Sequence, residues 1–219
     1  MLRDNRFLKR LVLALRLFDR HAFLALAAGC VASTAFAPLE WRLGILVGPW
    51  LLFRSLDVAS HRFVAGYLYG TGLMAPLVYW LAAFHPLAPV GALLLSALPY
   101  ALAARVATGP LAFAAAMTGA EFFRASGLFA FPWGIAGSVL HPFTLATLAP
   151  WIGLFGLSFL VYSVAALVPR RPALALVVAG LAVVISAFPR APIVGQERIR
   201  IGVIQGAYSP TEDYEFRPT

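Results

Sequence analysis

Residues 149–168 read APWIGLFGLSFLVYSVAALV, and this stretch decides the fold class of the chain. It carries no charged side chain, and it matches the length of about 20 apolar residues that a helix needs to cross a bilayer. Of the 219 residues in the chain, 61% are hydrophobic and 12% are charged, against roughly 25% charged residues in soluble domains. A soluble protein of this size could not bury so much apolar surface. The composition therefore excludes an ordinary soluble enzyme, a disordered protein and a free nucleic-acid-binding domain.

Apolar runs of similar character recur along the chain and predict an all-α polytopic membrane bundle of about seven transmembrane helices, residues 22–188. The predicted spans are residues 22–38, 43–56, 63–84, 87–106, 109–126, 143–168 and 172–188. The second span is short and is interrupted by Pro49. The first span has an alternative interpretation as a secretory signal, because basic residues precede it and Ala35-Phe36-Ala37 resembles a cleavage site.

The basic residues indicate how the bundle is oriented. The net charge is +8, but the arginines are scattered between apolar runs, which favours membrane orientation over nucleic-acid binding. If residues 1–21 are cytoplasmic, the inner side carries eleven basic residues, namely six in the N-terminal segment followed by Arg54, Arg62, Arg105, Arg170 and Arg171. The outer side then carries three, namely Arg42, Arg124 and Arg190. This excess predicts a cytoplasmic N-terminus and, after seven crossings, an extracytoplasmic segment beyond about Pro189.

The composition changes at residue 189, where prolines end the last apolar run and residues 189–197 read as a linker. Residues 198–206 then alternate between polar and β-branched side chains, which predicts a strand. Residues 209–219 are polar. Residues 198–219 are therefore expected to be the start of an extracytoplasmic domain, whose single strand needs partners because one strand is not stable alone.

Polar and aromatic residues near the predicted outer face are the candidates for function. Glu121 and Arg124 are three residues apart and share a helix face, so they either line a cavity or form a structural ion pair. Two aromatic segments, Tyr79-Trp80 and Phe131-Pro132-Trp133, either contact a substrate or belong to an interfacial aromatic belt.

Small and reactive residues receive simpler interpretations. Gly66 and Gly70 have the spacing of close helix packing, and Gly153 and Gly156 are interpreted in the same way. The histidines are not clustered with other ligands, so no metal site is predicted. The single cysteine, Cys30, lies in an apolar run and is predicted to be a buried small hydrophobic residue.

Taken in order, five segments resemble the apolipoprotein N-acyltransferase family. They are Ala35-Phe36-Ala37-Pro38 with Trp41, Gly66-Tyr67-Leu68-Tyr69-Gly70 with Tyr79-Trp80, Glu121-Phe122-Phe123-Arg124 with Phe131-Pro132-Trp133, Ala149-Pro150 with Gly153 and Gly156-Leu157-Ser158-Phe159-Leu160, and Ile204-Gln205-Gly206. Each segment is weak alone, but the order across almost the whole chain is specific.

The resemblance implies a multi-pass enzyme of the bacterial inner membrane with a periplasmic C-terminal segment. It implies transfer of an acyl chain from a phospholipid, typically phosphatidylethanolamine, to the N-terminal diacylglyceryl-cysteine of a lipoprotein. No cofactor is implied, because the family uses a thioester on a Glu-Lys-Cys triad in a nitrilase-type domain. Residues 198–219 would then open that nitrilase-like domain. The lipid and substrate candidates are Tyr79, Trp80, Glu121, Arg124, Phe131, Pro132, Trp133 and Tyr214.

The chain also departs from the family pattern. Cys30 lies in the first span and Lys9 precedes it. Neither can therefore match the triad, which is expected beyond Thr219. The 219-residue chain is therefore expected to have no acyltransferase activity alone. Tyr214 stands about where the family has a functional tryptophan. Two other interpretations remain: a transporter or channel subunit, and a non-catalytic membrane scaffold for a separate hydrolase domain.

Overall fold

A computed structural model describes residues 20–127, 130–141 and 143–187. The predicted basic N-terminus up to residue 19, the linker, the strand at 198–206 and Tyr214 lie outside the described residues. Within the described part there are seven α-helices and no strand. The helices are α1 (Arg20–Ser33), α2 (Gly44–Leu56), α3 (Arg62–Val78), α4 (Ala88–Val106), α5 (Pro110–Arg124), α6 (Ala149–Leu167) and α7 (Pro172–Ala187). Short 3₁₀ turns occupy Tyr79–Ala83, Ala136–Leu140 and Thr144–Leu148.

Each predicted span contains one of these helices, so the helical architecture is confirmed, whereas the crossing of a membrane stays a prediction. The first helix ends at Ser33 rather than at residue 38. Side-chain oxygens satisfy its last carbonyls: Ser33 Oγ donates to Cys30 O at 2.7 Å and Thr34 Oγ1 donates to Val31 O at 2.6 Å. Pro38 follows and cannot continue a helix. The third helix likewise ends at Val78, and the last residues of its predicted span form a 3₁₀ turn.

Helix α3 lies between α1 and α4, and its glycines allow the close approach. A Cβ atom at Gly70 would come within 2.8 Å of Ala97 Cα on α4. A Cβ atom at Gly72 would come within 2.9 Å of the Cys30 backbone nitrogen on α1. The predicted role of the Gly66–Gly70 spacing is confirmed, because side chains there would push the backbones apart.

Two predictions about small residues are wrong. Gly153 has open space around it and adopts φ 68°, so it allows a break in α6 rather than close packing between helices. At Gly156 the atoms nearest to an added Cβ would belong to the Ile152 side chain of the same helix rather than to a neighbouring helix. Cys30 is exposed rather than buried, because its side chain lies on a face of α1 that none of the other described helices covers.

The outward surface of the bundle is apolar. Helix α7 alone exposes Leu176, Val177, Leu181, Val184 and Ile185 by half or more of their surface. A soluble monomer rarely leaves so continuous an apolar face in water. Two helical segments, Ala88–Val106 and Thr144–Leu167, are long and apolar enough to cross a membrane, and three shorter apolar helices accompany them in the described part. This surface is what a lipid-exposed bundle requires.

Arginines tie the loops together at both ends of the bundle. At the predicted inner end, Arg62 Nη2 donates to Ala107 O, and Arg170 Nη2 lies 2.6 Å from Asp57 Oδ1. At the opposite end, Arg42 Nη1 donates to Val139 O at 3.0 Å and also to His141 O. The second end also holds Arg124 and the aromatic candidates.

Candidate functional site

Arg124 is the centre of the candidate site at the predicted outer end. It is the last residue of α5 and is 5% exposed. Its Nη1 atom donates to Phe131 O at 2.6 Å and also to Trp133 O. Its Nη2 atom donates to Tyr100 OH at 3.3 Å and to Gly134 O at 3.4 Å. The guanidinium therefore holds the loop at residues 131–134 in one backbone shape, since its donors form a planar fork.

Glu121 holds the next part of the same loop. The Ala136 N–H donates to Glu121 Oε1 at 2.9 Å, and the Tyr162 hydroxyl donates to the same oxygen at 2.6 Å. Glu121 is completely buried. Among the described ion pairs none joins Glu121 directly to Arg124. The two side chains share a helix face but bind successive segments of the loop.

The loop is fixed by two further features. Gly134 adopts φ 66°, a conformation that residues with a Cβ rarely adopt, and a Cβ atom there would come within 2.7 Å of Leu77 Cδ1. One residue beyond Ala136, the Gly137 N–H donates to Ser158 Oγ of α6 at 2.9 Å. Helices α5 and α6 thus both anchor the turn that follows the aromatic segment.

An aromatic face stands on this anchored loop. The rings of Phe131 and Trp133 stack at 5.6 Å between centroids with 19° between planes. The Trp80 ring lies 5.6 Å from the Trp133 ring and 5.8 Å from the Phe84 ring. Trp80 is itself fixed, because its Nε1 donates to Leu77 O at 2.9 Å. Trp133 keeps 49% of its surface exposed, so this aromatic face, Trp80–Phe84–Phe131–Trp133, is open to a ligand or to lipid.

The structure therefore brings together five of the eight candidate residues, namely Trp80, Glu121, Arg124, Phe131 and Trp133. Pro132, which separates Phe131 and Trp133 in sequence, is exposed. Tyr79 is 70% exposed, and no ring contact joins it to the aromatic face. Tyr214 lies outside the described residues.

Three residues of the site were missed from the sequence. Tyr100 accepts from Arg124, with the guanidinium carbon 5.9 Å from the Tyr100 ring centroid. Tyr162 and Ser158, both on α6, complete the Glu121 network. The available signal was their polarity inside apolar helices, since buried polar groups need partners. A hydroxyl in an apolar helix is a weaker signal in the sequence than a charged side chain.

The described part of the chain positions groups but offers little chemistry of its own. No cluster of three or more histidine, cysteine, aspartate or glutamate side chains that could hold a metal occurs in it. The chain's single cysteine, Cys30, is exposed on α1, and no described hydrogen bond joins its thiol to a base. The arrangement is thus suited to holding an apolar or amphipathic molecule at one end of the bundle.

Comparisons with known proteins show the family to which the chain belongs. Residues 28–167, which include every described residue of the site, match the model of the apolipoprotein N-acyltransferase N-terminal domain. A curated apolipoprotein N-acyltransferase of Bradyrhizobium diazoefficiens is 30% identical over 190 residues, covering 70% of this chain and 34% of that protein. The chain thus spans about a third of the length of this relative. Because the family model covers more than half of the chain, the chain belongs to the apolipoprotein N-acyltransferase family.

Proposed function

We propose that these residues form the membrane-embedded part of an enzyme that moves an acyl chain from a phospholipid to the N-terminal diacylglyceryl-cysteine of lipoproteins. Phosphatidylethanolamine is the proposed acyl donor. The proposed location is the bacterial inner membrane, crossed seven times, with a cytoplasmic N-terminus and a periplasmic segment after α7. Family membership and the apolar outer surface of the bundle support this proposal.

The observation that carries the proposal is the anchored aromatic face. Arg124 and Glu121 bind the backbone of the loop. The rings of Trp80 and Trp133, which contact each other, remain exposed at the end of the bundle. Tryptophan is amphipathic and is enriched at the level of lipid headgroups. A rigid pair of such rings can hold an acyl chain or a lipidated N-terminus at the bilayer surface, where the reaction needs both substrates.

The chemical step is proposed to use residues other than the 219 present here. A thioester mechanism needs a cysteine with a base and an oxyanion stabiliser beside it. Cys30 is the chain's single cysteine, and no described hydrogen bond joins it to Glu121, the acidic residue of the site. The chain alone is therefore proposed to bind lipid without transferring an acyl chain. The nitrilase-like continuation after residue 198 and any contribution of Tyr214 belong to the same proposal.

A chimera tests this function. Residues 28–167 replace the matching region of the Bradyrhizobium relative, and the chimera is expressed in bacteria depleted of their own N-acyltransferase. We expect growth to be restored and lipoproteins to become N-acylated, as shown by mass spectrometry. The Arg124→Met chimera should lose both, whereas the Arg105→Met chimera, altered at an exposed arginine, should keep them. A chimera that inserts into the membrane at normal levels but never supports N-acylation would contradict the proposal.

A further inference from the structure

An apolar groove of about 430 Å³ opens between α2, α6 and α7, away from the aromatic face. Its walls include Ile45 and Leu46 of α2, Leu160 and Val164 of α6, and Ala179 of α7. Its volume is within the range of about 300–1,000 Å³ that is typical of small-molecule sites. None of the four aromatic side chains of the aromatic face lines it, so it is a separate feature of the outer half of the bundle.

The mouth of the groove carries one charge of each sign. Arg42 Nη2 lies 3.1 Å from Glu40 Oε2, and both residues line the groove. The Glu40 side chain is 60% exposed and the Arg42 side chain is 27% exposed. Arginine has five N–H donors, and the described bonds to Val139 O, His141 O and Glu40 use three of them. Two donors of Arg42 are therefore left for a ligand beside a partly free carboxylate.

The backbone at the mouth is strained. Glu40 adopts φ 50°, which is uncommon for a residue with a Cβ. Strained residues of this kind are concentrated at ligand clamps, where the surrounding structure holds them in place. Trp41 and Phe143, both half-exposed, flank the charged pair as residues at a membrane interface do.

From these observations we infer that the groove binds one acyl chain of a zwitterionic phospholipid from the outer leaflet. The phosphate group meets the free donors of Arg42, and the ammonium group meets the Glu40 carboxylate. Arg42 and Glu40 already pair with each other, but a zwitterionic headgroup offers a phosphate to the remaining Arg42 donors and an ammonium to the exposed carboxylate, and an apolar peptide offers neither. The inference rests on the membrane location proposed above, but it needs no acyl transfer at this site.

Lipid in the groove would also support the aromatic loop. Val139 and Leu140 line the groove, and Arg42 binds the carbonyl of Val139. The same 3₁₀ turn begins at Ala136, which Glu121 holds. One continuous stretch of backbone thus joins the groove to the aromatic face. A bound acyl chain stabilises this stretch.

Photocrosslinking tests the inference. The full chain is placed in bilayers of equal parts phosphatidylethanolamine and phosphatidylglycerol, doped with either lipid carrying a diazirine in its acyl chain, and the labelled peptides are identified by mass spectrometry. We expect the phosphatidylethanolamine probe to label Leu160–Val164 or Ala179–Ala182 more than the phosphatidylglycerol probe does. Ala179→Phe should reduce this labelling by about tenfold, which corresponds to about 1.4 kcal/mol of binding free energy. Ala187→Phe, at an exposed position of the same helix, should leave it unchanged.

The headgroup arm is independent of groove packing. Glu40→Gln removes the carboxylate and leaves Arg42, so the preference should shift from phosphatidylethanolamine towards phosphatidylglycerol. An unchanged preference would overturn the inference. Occupation of the groove by a second copy of the chain or by residues 188–219 in place of lipid would overturn it too. A chain that inserts normally but shows no groove labelling overturns it as well. A chain that fails to insert refutes the proposed membrane location, so the two failures are distinguishable.

Discussion

Replacing Arg124 by methionine tests whether this buried arginine holds the aromatic loop. Methionine keeps much of the side-chain volume but removes the donors that meet Phe131 O and Trp133 O. A hydrogen bond to a charged group contributes about 1.5–3 kcal/mol, so loss of these two bonds should lower the free energy of unfolding by about 3–6 kcal/mol. The longer contacts at 3.3 and 3.4 Å are left out of this figure.

Unfolding is followed in mixed micelles with rising sodium dodecyl sulfate by tryptophan fluorescence, because Trp80 and Trp133 report on the loop directly. A cysteine at Pro132, in a Cys30→Ala background, should at the same time react faster with maleimide in the Arg124→Met protein than in its parent. The control is Arg105→Met, which removes an exposed arginine from the last turn of α4 and should cost less than about 1 kcal/mol. If Arg124→Met costs no more than this control and the labelling rate is unchanged, the loop does not depend on the guanidinium.

Two further predictions concern the same loop. Gly134→Ala should lower the free energy of unfolding by about 1–2 kcal/mol, because alanine is strained at φ 66° and its Cβ would lie 2.7 Å from Leu77 Cδ1. Gly119→Ala, at an open helical position, should instead stabilise the protein by about 0.5–1 kcal/mol. Equal effects of the two substitutions in thermal unfolding would refute the argument. Tyr162→Phe should cost about 1–3 kcal/mol by leaving the buried Glu121 oxygen without its hydroxyl donor, and a variant as stable as its parent would show that this bond contributes nothing.

The helices were predictable because the physics that sets them is local. Apolar runs of membrane length separated by arginines and prolines identify each helix, and every predicted span contains one. The ends were less predictable. Helix α1 stops at Ser33 because hydroxyls satisfy its final carbonyls, and this depends on side-chain geometry that hydropathy does not register. The role of Gly153 was missed for a similar reason, since a glycine that breaks a helix and one that packs against a neighbour look alike in sequence.

The charged and aromatic members of the candidate site were predictable, but its hydroxyl-bearing members Tyr100, Ser158 and Tyr162 and the hydrogen bonds between its parts were not. Glu121 and Arg124 stand out as charges in an apolar helix, and the aromatic residues stand out near span ends. Their spacing left two alternatives open, that they line a cavity or that they pair with each other. In the structure, Arg124 instead donates to carbonyls of residues 131–134, and Glu121 accepts from the amide of Ala136. These partners are backbone atoms of a loop, and only its three-dimensional path brings them to the helix.

Cysteine labelling in intact cells is the most direct test of the central claim, that this family member is a membrane bundle with its aromatic site on the outer face. Ser126→Cys and Thr108→Cys are made separately in a Cys30→Ala background, because Ser126 follows α5 at the predicted outer end and Thr108 lies in the turn at the inner end. A maleimide that cannot cross membranes should label the cysteine at position 126 in intact cells and the cysteine at position 108 only after permeabilisation. Labelling of position 108 but not of position 126 in intact cells would contradict the account.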